Sequence, residues 1–158
     1  MGPKCYVYRD HFISPLMKLM KFHGSTVAPL RKIILRELGV IIQHLGYHAK
    51  FYLPQIMNMI NTYWDHVELR KYEVLLLEKL SLALNDEFQP ELEIFLPKLL
   101  ASIQDDLEIQ VILHSLVIFG ATVDPFLKVI IPLIVMKYYQ DTHNIIGWKN
   151  ERNARKPA

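Results

Sequence analysis

Four groups of residues in this chain have the types that chemistry requires. His44 and His48 stand four apart, a spacing that can hold zinc on one helix face. Gly46 lies between them, however, and no glutamate follows His44 as a zinc hydrolase helix would need, so they read as surface histidines at a helix end. Asp105, Asp106 and Glu108 could bind a cation or work as paired carboxylates. They fit better as the cap of a helix starting near Leu107, where negative charge suits the helix dipole. Cys5, the single thiol, has no histidine beside it and is not expected to be a nucleophile. Ile118-Phe119-Gly120 lacks the aspartate with which a phosphotransfer enzyme holds magnesium, and no His-Arg-Asp occurs. Gly24, Gly39, Gly46, Gly120 and Gly147 are isolated and make no phosphate-cradling loop. The expectation is a chain that is not an enzyme, with no catalytic, cofactor-binding or metal-ligating residue and no cofactor.

Composition supports a packed domain. Apolar residues make up 51% of the 158 and charged residues 22%, which disfavours a wholly disordered chain. A net charge of +2 is too small to argue for nucleic acid or an anionic membrane, and neither is expected as a direct partner. One cysteine excludes an internal disulfide framework and suits a reducing, cytoplasmic home. The first ten residues contain no apolar core of a secretory signal. The longest apolar run, Val129 to Met136, is broken by Pro132 and falls far short of the roughly 20 residues that span a bilayer.

The elements that must position these residues announce themselves by repetition. Apolar residues run into a proline and continue at helical spacing around Pro15, Pro54, Pro97 and Pro132, in steps of 39, 43 and 35 residues. Such a step in a helical sequence marks a solenoid of helix pairs. Between the prolines, Leu30–Leu45, Leu69–Leu84 and Glu108–Phe119 each carry a broad apolar stripe. In the first, Leu30, Ile34, Leu38, Ile41 and Leu45 make the stripe. In the second, Leu69, Tyr72, Leu76, Leu80 and Ala83 do so, while Arg70, Lys71, Glu73, Glu78 and Lys79 fall mostly on the other side. Proline within such a pattern begins a helix or kinks one.

Punctuation repeats as well. Pro15 precedes Gly46 by 31 residues, and Pro54 precedes Asn85 by 31; Asn85 lies over Gly120 when Pro90 is laid on Pro125 and Pro97 on Pro132. Gly and Asn tolerate the positive φ that closes a helix. The chain thus divides into units over 1–46, 47–85, 86–120 and a half unit over 121–141. The 142–158 segment, with Lys149, Arg152, Arg155 and Lys156, is expected to be a basic, disordered tail. Trp64 and Tyr63 end an apolar stripe and read as core, with a partner-binding hot spot as the alternative. Tyr138 and Tyr139 are expected at the surface.

The third and fourth units carry a resemblance. Phe95-Leu96-Pro97-Lys98-Leu99-Leu100, then Phe119-Gly120-Ala121, Phe126-Leu127 and Ile131-Pro132, resemble HEAT repeats of the target of rapamycin (TOR) serine/threonine protein kinase family, as does Tyr52-Leu53-Pro54-Gln55-Ile56 with Trp64. The resemblance covers about residues 12 to 139. It implies an all-α fold, an ARM/HEAT α-solenoid of about three to four helix pairs incomplete at its C-terminal end. It also implies a position in the family's amino-terminal solenoid, before the FAT region, the rapamycin–FKBP-binding domain and the kinase domain, none of which is encoded here. That solenoid holds the dimer and docks accessory subunits such as Raptor, so a Raptor-like subunit or a TOR dimer partner is the implied partner, with endomembranes reached through partners. A HEAT unit favours Asp and Arg in its turn and second helix. Asp65 with Arg70 match this, Arg31 matches half of it, and the third unit has Asp105 and Asp106 but Gln110 or Val111 in place of the arginine.

The leading expectation is a non-catalytic scaffold segment for protein docking in TOR signalling. An independent HEAT scaffold or transport adaptor is the alternative, and a small helical enzyme or metal protein a third. Because solenoid faces are buried on neighbours, apolar ends are expected to self-associate.

Overall fold

A computed structural model describes residues 9–22, 27–102, 109–136 and 138–139, and these contain helices and no strand. The α-helices are α1 (Arg9–Met20), α2 (Val27–Leu45), α3 (Leu53–Tyr63), α4 (Val67–Leu84), α5 (Gln89–Ser102), α6 (Ile109–Phe119) and α7 (127–136). Short 3-10 segments, Gly46–Tyr52, Asn85–Phe88 and Gly120–Phe126, precede α3, α5 and α7. The fold is therefore an all-α solenoid of helix pairs, as the spacing predicts.

The repeating punctuation has a direct backbone cause. Gly46, Asn85 and Gly120 have φ of +52°, +48° and +54°, and are the positive-φ residues among those described. Each reverses the chain at the end of a second helix and feeds the next 3-10 segment. At Gly46 and Gly120 no side chain opposes that conformation, whereas Asn85, with ψ of −126°, lies outside the left-handed helical region and holds its turn under backbone strain. The four repeating prolines share another property, exposure. Pro54 starts α3, where its missing N–H is not needed, whereas Pro15 and Pro97 lie inside α1 and α5. On an exposed face water can satisfy the carbonyl that each proline orphans, so both solutions are tolerated.

Packing makes two layers. The second helices stack in order, α2 along α4 and α4 along α6. The first helices form the other layer: the Tyr63 hydroxyl of α3 donates to the Met20 carbonyl ending α1 (2.7 Å), and Lys98 Nζ of α5 donates to Asn61 Oδ1 of α3 (3.2 Å). The 3-10 segments stitch the layers, Gly46–Tyr52 touching α2, α3 and α4, and Gly120–Phe126 touching α5 and α6. One continuous core runs from Ile13 through Leu38, Ile60, Leu77 and Leu96 to Ile130. At about 25 cal/mol per Å² of apolar surface removed from water, this shared core is the main stabilising term.

Stripe assignments need two corrections. Leu30 is exposed, and α2 instead buries Ile34, Leu35, Leu38, Ile42 and Leu45. Glu73 and Glu78 do not face solvent: both are buried in α4. The physical reason is position. α4 has a helix on either side in its own layer and the first-helix layer behind, so most of its circumference is interior.

Candidate protein-docking surface

The turns between paired helices are held by the two arginines that suit the HEAT pattern. Arg31 Nε donates to the Met20 carbonyl (3.2 Å) and its Nη2 to the Phe22 carbonyl (3.0 Å), with the guanidinium 4.6 Å above the Tyr63 ring. Arg70 Nε donates to the Trp64 carbonyl (3.0 Å). The last carbonyls of a helix have no intrahelical donor. Each arginine, early in a second helix, supplies one to the end of the first helix before it. That is why arginine suits this place: its planar fork reaches two acceptors at once.

Aromatic residues sort into core and surface. Trp64 is 3% exposed and meets Phe95 edge-on, ring centroids 4.7 Å apart, so it locks unit two onto unit three. Tyr63 is partly buried beneath Arg31. Tyr138 and Tyr139 are exposed, as expected. His44 is an exposed residue in the last turn of α2, its Nδ1 2.7 Å from the Val40 carbonyl, and His48 is exposed in the following 3-10 segment. Cys5, Asp105, Asp106, Glu108 and the 142–158 tail lie outside the described residues. Among the described residues no cluster of three or more His, Cys, Asp or Glu could hold a metal ion, and no helix is long and apolar enough to cross a membrane.

One constellation escapes a linear reading. Glu78 on α4 meets Ser115 and His114 on α6: Ser115 Oγ lies 2.7 Å, and His114 Nδ1 3.1 Å, from Glu78 Oε1. These are the residue types of a nucleophilic triad in the wrong order. The serine hydroxyl bonds the carboxyl rather than the imidazole and is itself buried, so nothing activates it and no substrate reaches it. Its role is to satisfy a buried carboxyl and fix the register of α6 on α4. The available signal was its spacing, close to one repeat, on successive second helices.

Glu73 is the opposite case. Both of its oxygens are buried and make no hydrogen bond among the described residues. Burial pushes its carboxyl up to about 8, against the opposing pull of Lys98 and Arg70, while Asp65 and Glu68 add to the rise. At the surface, Lys50 and Glu87 pair between the first and second 3-10 segments, with the Tyr47 hydroxyl 3.4 Å from Glu87. The hydrogen bond holds the lysine above and the carboxylate below its ordinary value.

What remains open is surface. The second-helix layer exposes Ile33, Val40, Leu75, Leu82, Leu113 and Val117. The last half unit exposes Val129, Ile131, Val135 and Met136. Exposed apolar side chains of this kind are available to contact a partner.

No family model matches the chain. It is 28% identical over 155 residues to serine/threonine-protein kinase TOR of Arabidopsis thaliana, covering 89% of the chain. It is 22% identical over 152 residues to tor1 of Schizosaccharomyces pombe (90% of the chain) and 25% identical over 141 residues to mTor of Drosophila melanogaster (85% of the chain). In each case the chain spans about 6% of the length of the curated relative it matches. The chain is thus related, over most of its length, to one short segment of the TOR serine/threonine-protein kinases.

Proposed function

We propose that the chain is a non-catalytic scaffold segment of a TOR-like kinase, serving protein docking and complex assembly in growth and nutrient signalling. The observation that carries this reading is the relation to TOR kinases over 85–90% of a chain built as a helix-pair stack. The segment lies outside the kinase domain, because the magnesium-binding aspartate, catalytic loop and glycine-rich loop of phosphotransfer do not occur in it. Its partners are proteins, a Raptor-like subunit or a TOR protomer, met in the cytoplasm.

Two measurements test this. Purified chain incubated with ATP and magnesium is expected to transfer no phosphate. Tagged chain expressed in a eukaryotic cell is expected to co-purify with a TOR protomer or Raptor-like subunit, identified by mass spectrometry. Phosphotransfer by the purified chain, or recovery of transport receptors in place of TOR-complex subunits, overturns the reading.

A further inference from the structure

The second-helix layer presents one face with a definite chemical character. On α2, Ile33 and Val40 are seven residues apart; on α4, Leu75 and Leu82 are seven apart; on α6, Leu113 and Val117 are four apart. Each pair therefore lies on one side of its helix. All six are exposed, Val117 at 80% the most. Because α2, α4 and α6 stack in order, exposed apolar side chains recur on three successive second helices.

A groove between α2 and α4 is bordered by Val40 of the first pair and Leu75 of the second. Gly39 has no side chain to fill it, and Val40, Tyr72, Leu75, Leu76 and Lys79 wall it around a volume of about 180 Å³. Small-molecule pockets run from roughly 300 to 1,000 Å³, so this one takes a single apolar side chain, as a knob enters a hole. A Cβ placed on Gly39 would meet only Lys79 Cγ at 3.5 Å and Leu76 Cδ1 at 3.9 Å, ordinary contacts. Gly39 is itself buried, so its missing side chain forms the floor of the groove.

Charge decides what kind of side chain comes with it. Lys32, Arg36 and Lys79 flank the groove, and Lys32 leans over the Tyr72 ring at 6.0 Å. Arg36 pairs with Glu37 at 2.9 Å, but both are exposed, so the arginine exchanges partners at little cost. Two further carboxyls of α4, Glu73 and Glu78, are buried and cannot offset this charge at the surface. A second copy meeting this face with its own would bring lysine and arginine against lysine and arginine. Nucleic acid would find aliphatic side chains where stacking surfaces are needed. An amphipathic helix with an apolar stripe and acidic flanks satisfies both the groove and its rim.

We propose that the face formed by α2, α4 and α6 docks an acidic amphipathic helix of a partner protein, one of its apolar side chains seated over Gly39. This rests on the docking reading above and names the surface and the chemistry of its partner.

The probe is a synthetic helical peptide of about 20 residues, leucine along one face and glutamate along its flanks. Its controls are a twin with lysine for glutamate and a scrambled peptide of the same composition. Fluorescence anisotropy is expected to show the acidic peptide binding at least tenfold more tightly than either, with affinity falling as salt rises. Gly39→Leu, which fills the hole and changes no charge, is expected to weaken binding tenfold or more. Leu75→Asp is expected to do the same. The double variant Lys32→Glu, Lys79→Glu is expected to prefer the lysine twin. Ile94→Asp, at an exposed position of the other layer, should leave binding unchanged, and circular dichroism establishes that each variant is helical. Equal binding of the acidic and lysine peptides, or indifference to Gly39→Leu in a folded variant, overturns the proposal. So does a chain that sediments as a dimer and becomes a monomer with Leu75→Asp, which would assign the face to a second copy. A chain that co-purifies with TOR-complex subunits yet ignores the acidic peptide loses this face and keeps the scaffold role.

Discussion

Glu73 and Glu78 stand five residues apart on α4, both buried, in contrary circumstances. Glu78 points to α6, where Ser115 and His114 answer one of its oxygens. Glu73 turns away from that contact and keeps two buried oxygens without a hydrogen bond among the described residues. The difference teaches what a buried carboxyl does in a repeat array. Answered from the next unit, it becomes a register pin, since sliding α6 along α4 by one turn would strand it. Unanswered, it is a standing cost that the shared apolar core must offset, and one that responds to pH.

The apolar benchmark for this comparison is Leu77, fully buried between the two glutamates. Leu77→Ala should cost about 2–5 kcal/mol in urea unfolding, the largest effect of the set. A smaller loss would mean that α4 is less enclosed than its position between α2 and α6 implies.

The pH dependence of Glu73 comes next. Its folded carboxyl titrates near 8, above its ordinary value of 4.5, so the folded state holds more protons than the unfolded state between those limits. Stability therefore falls as pH rises from about 4.5 to 8, by at most roughly 5 kcal/mol at full amplitude. Glu73→Gln should flatten that slope, and Glu73→Leu should raise stability at pH 8 by about 1–3 kcal/mol. An unchanged slope in Glu73→Gln would show that another group carries the dependence.

Glu78→Ala should cost about 1–3 kcal/mol, because Ser115 and His114 lose their shared partner across the seam and Ser115 keeps only the Val111 carbonyl of its own helix. In a double-mutant cycle with Ser115→Ala the two losses should be less than additive. Additivity would mean that the pair is not coupled and does not pin the register. The smallest effect belongs to the exposed Lys50–Glu87 pair: Glu87→Gln should leave the urea midpoint where it is, because solvent screens such pairs.

Much of this architecture is legible in the residues. Gly46, Asn85 and Gly120 declare themselves because only a few residue types accept positive φ, and a repeat must spend one of them at every closure. Stripes on α2, α4 and α6 are readable because each helix hides an apolar side. Arg31 and Arg70 are identifiable as turn residues, although the carbonyls they reach are not. The buried glutamates are hidden from such a reading: a helical wheel assumes that one side meets water, and α4 has little such side. The groove is hidden for a different reason. Gly39 alone looks like a missing phosphate loop, and only the packing of α2 on α4 turns its absent side chain into a hole.

The most direct test of docking through the α2–α4 groove is cross-linking of the tagged chain in cells, with the linked peptides identified by mass spectrometry. Cross-links from Lys32 and Lys79 to an acidic helical segment of a TOR-complex protein, lost in Gly39→Leu, are the predicted result. Cross-links to TOR-complex proteins that survive Gly39→Leu, or none to such proteins from a folded chain, would contradict it.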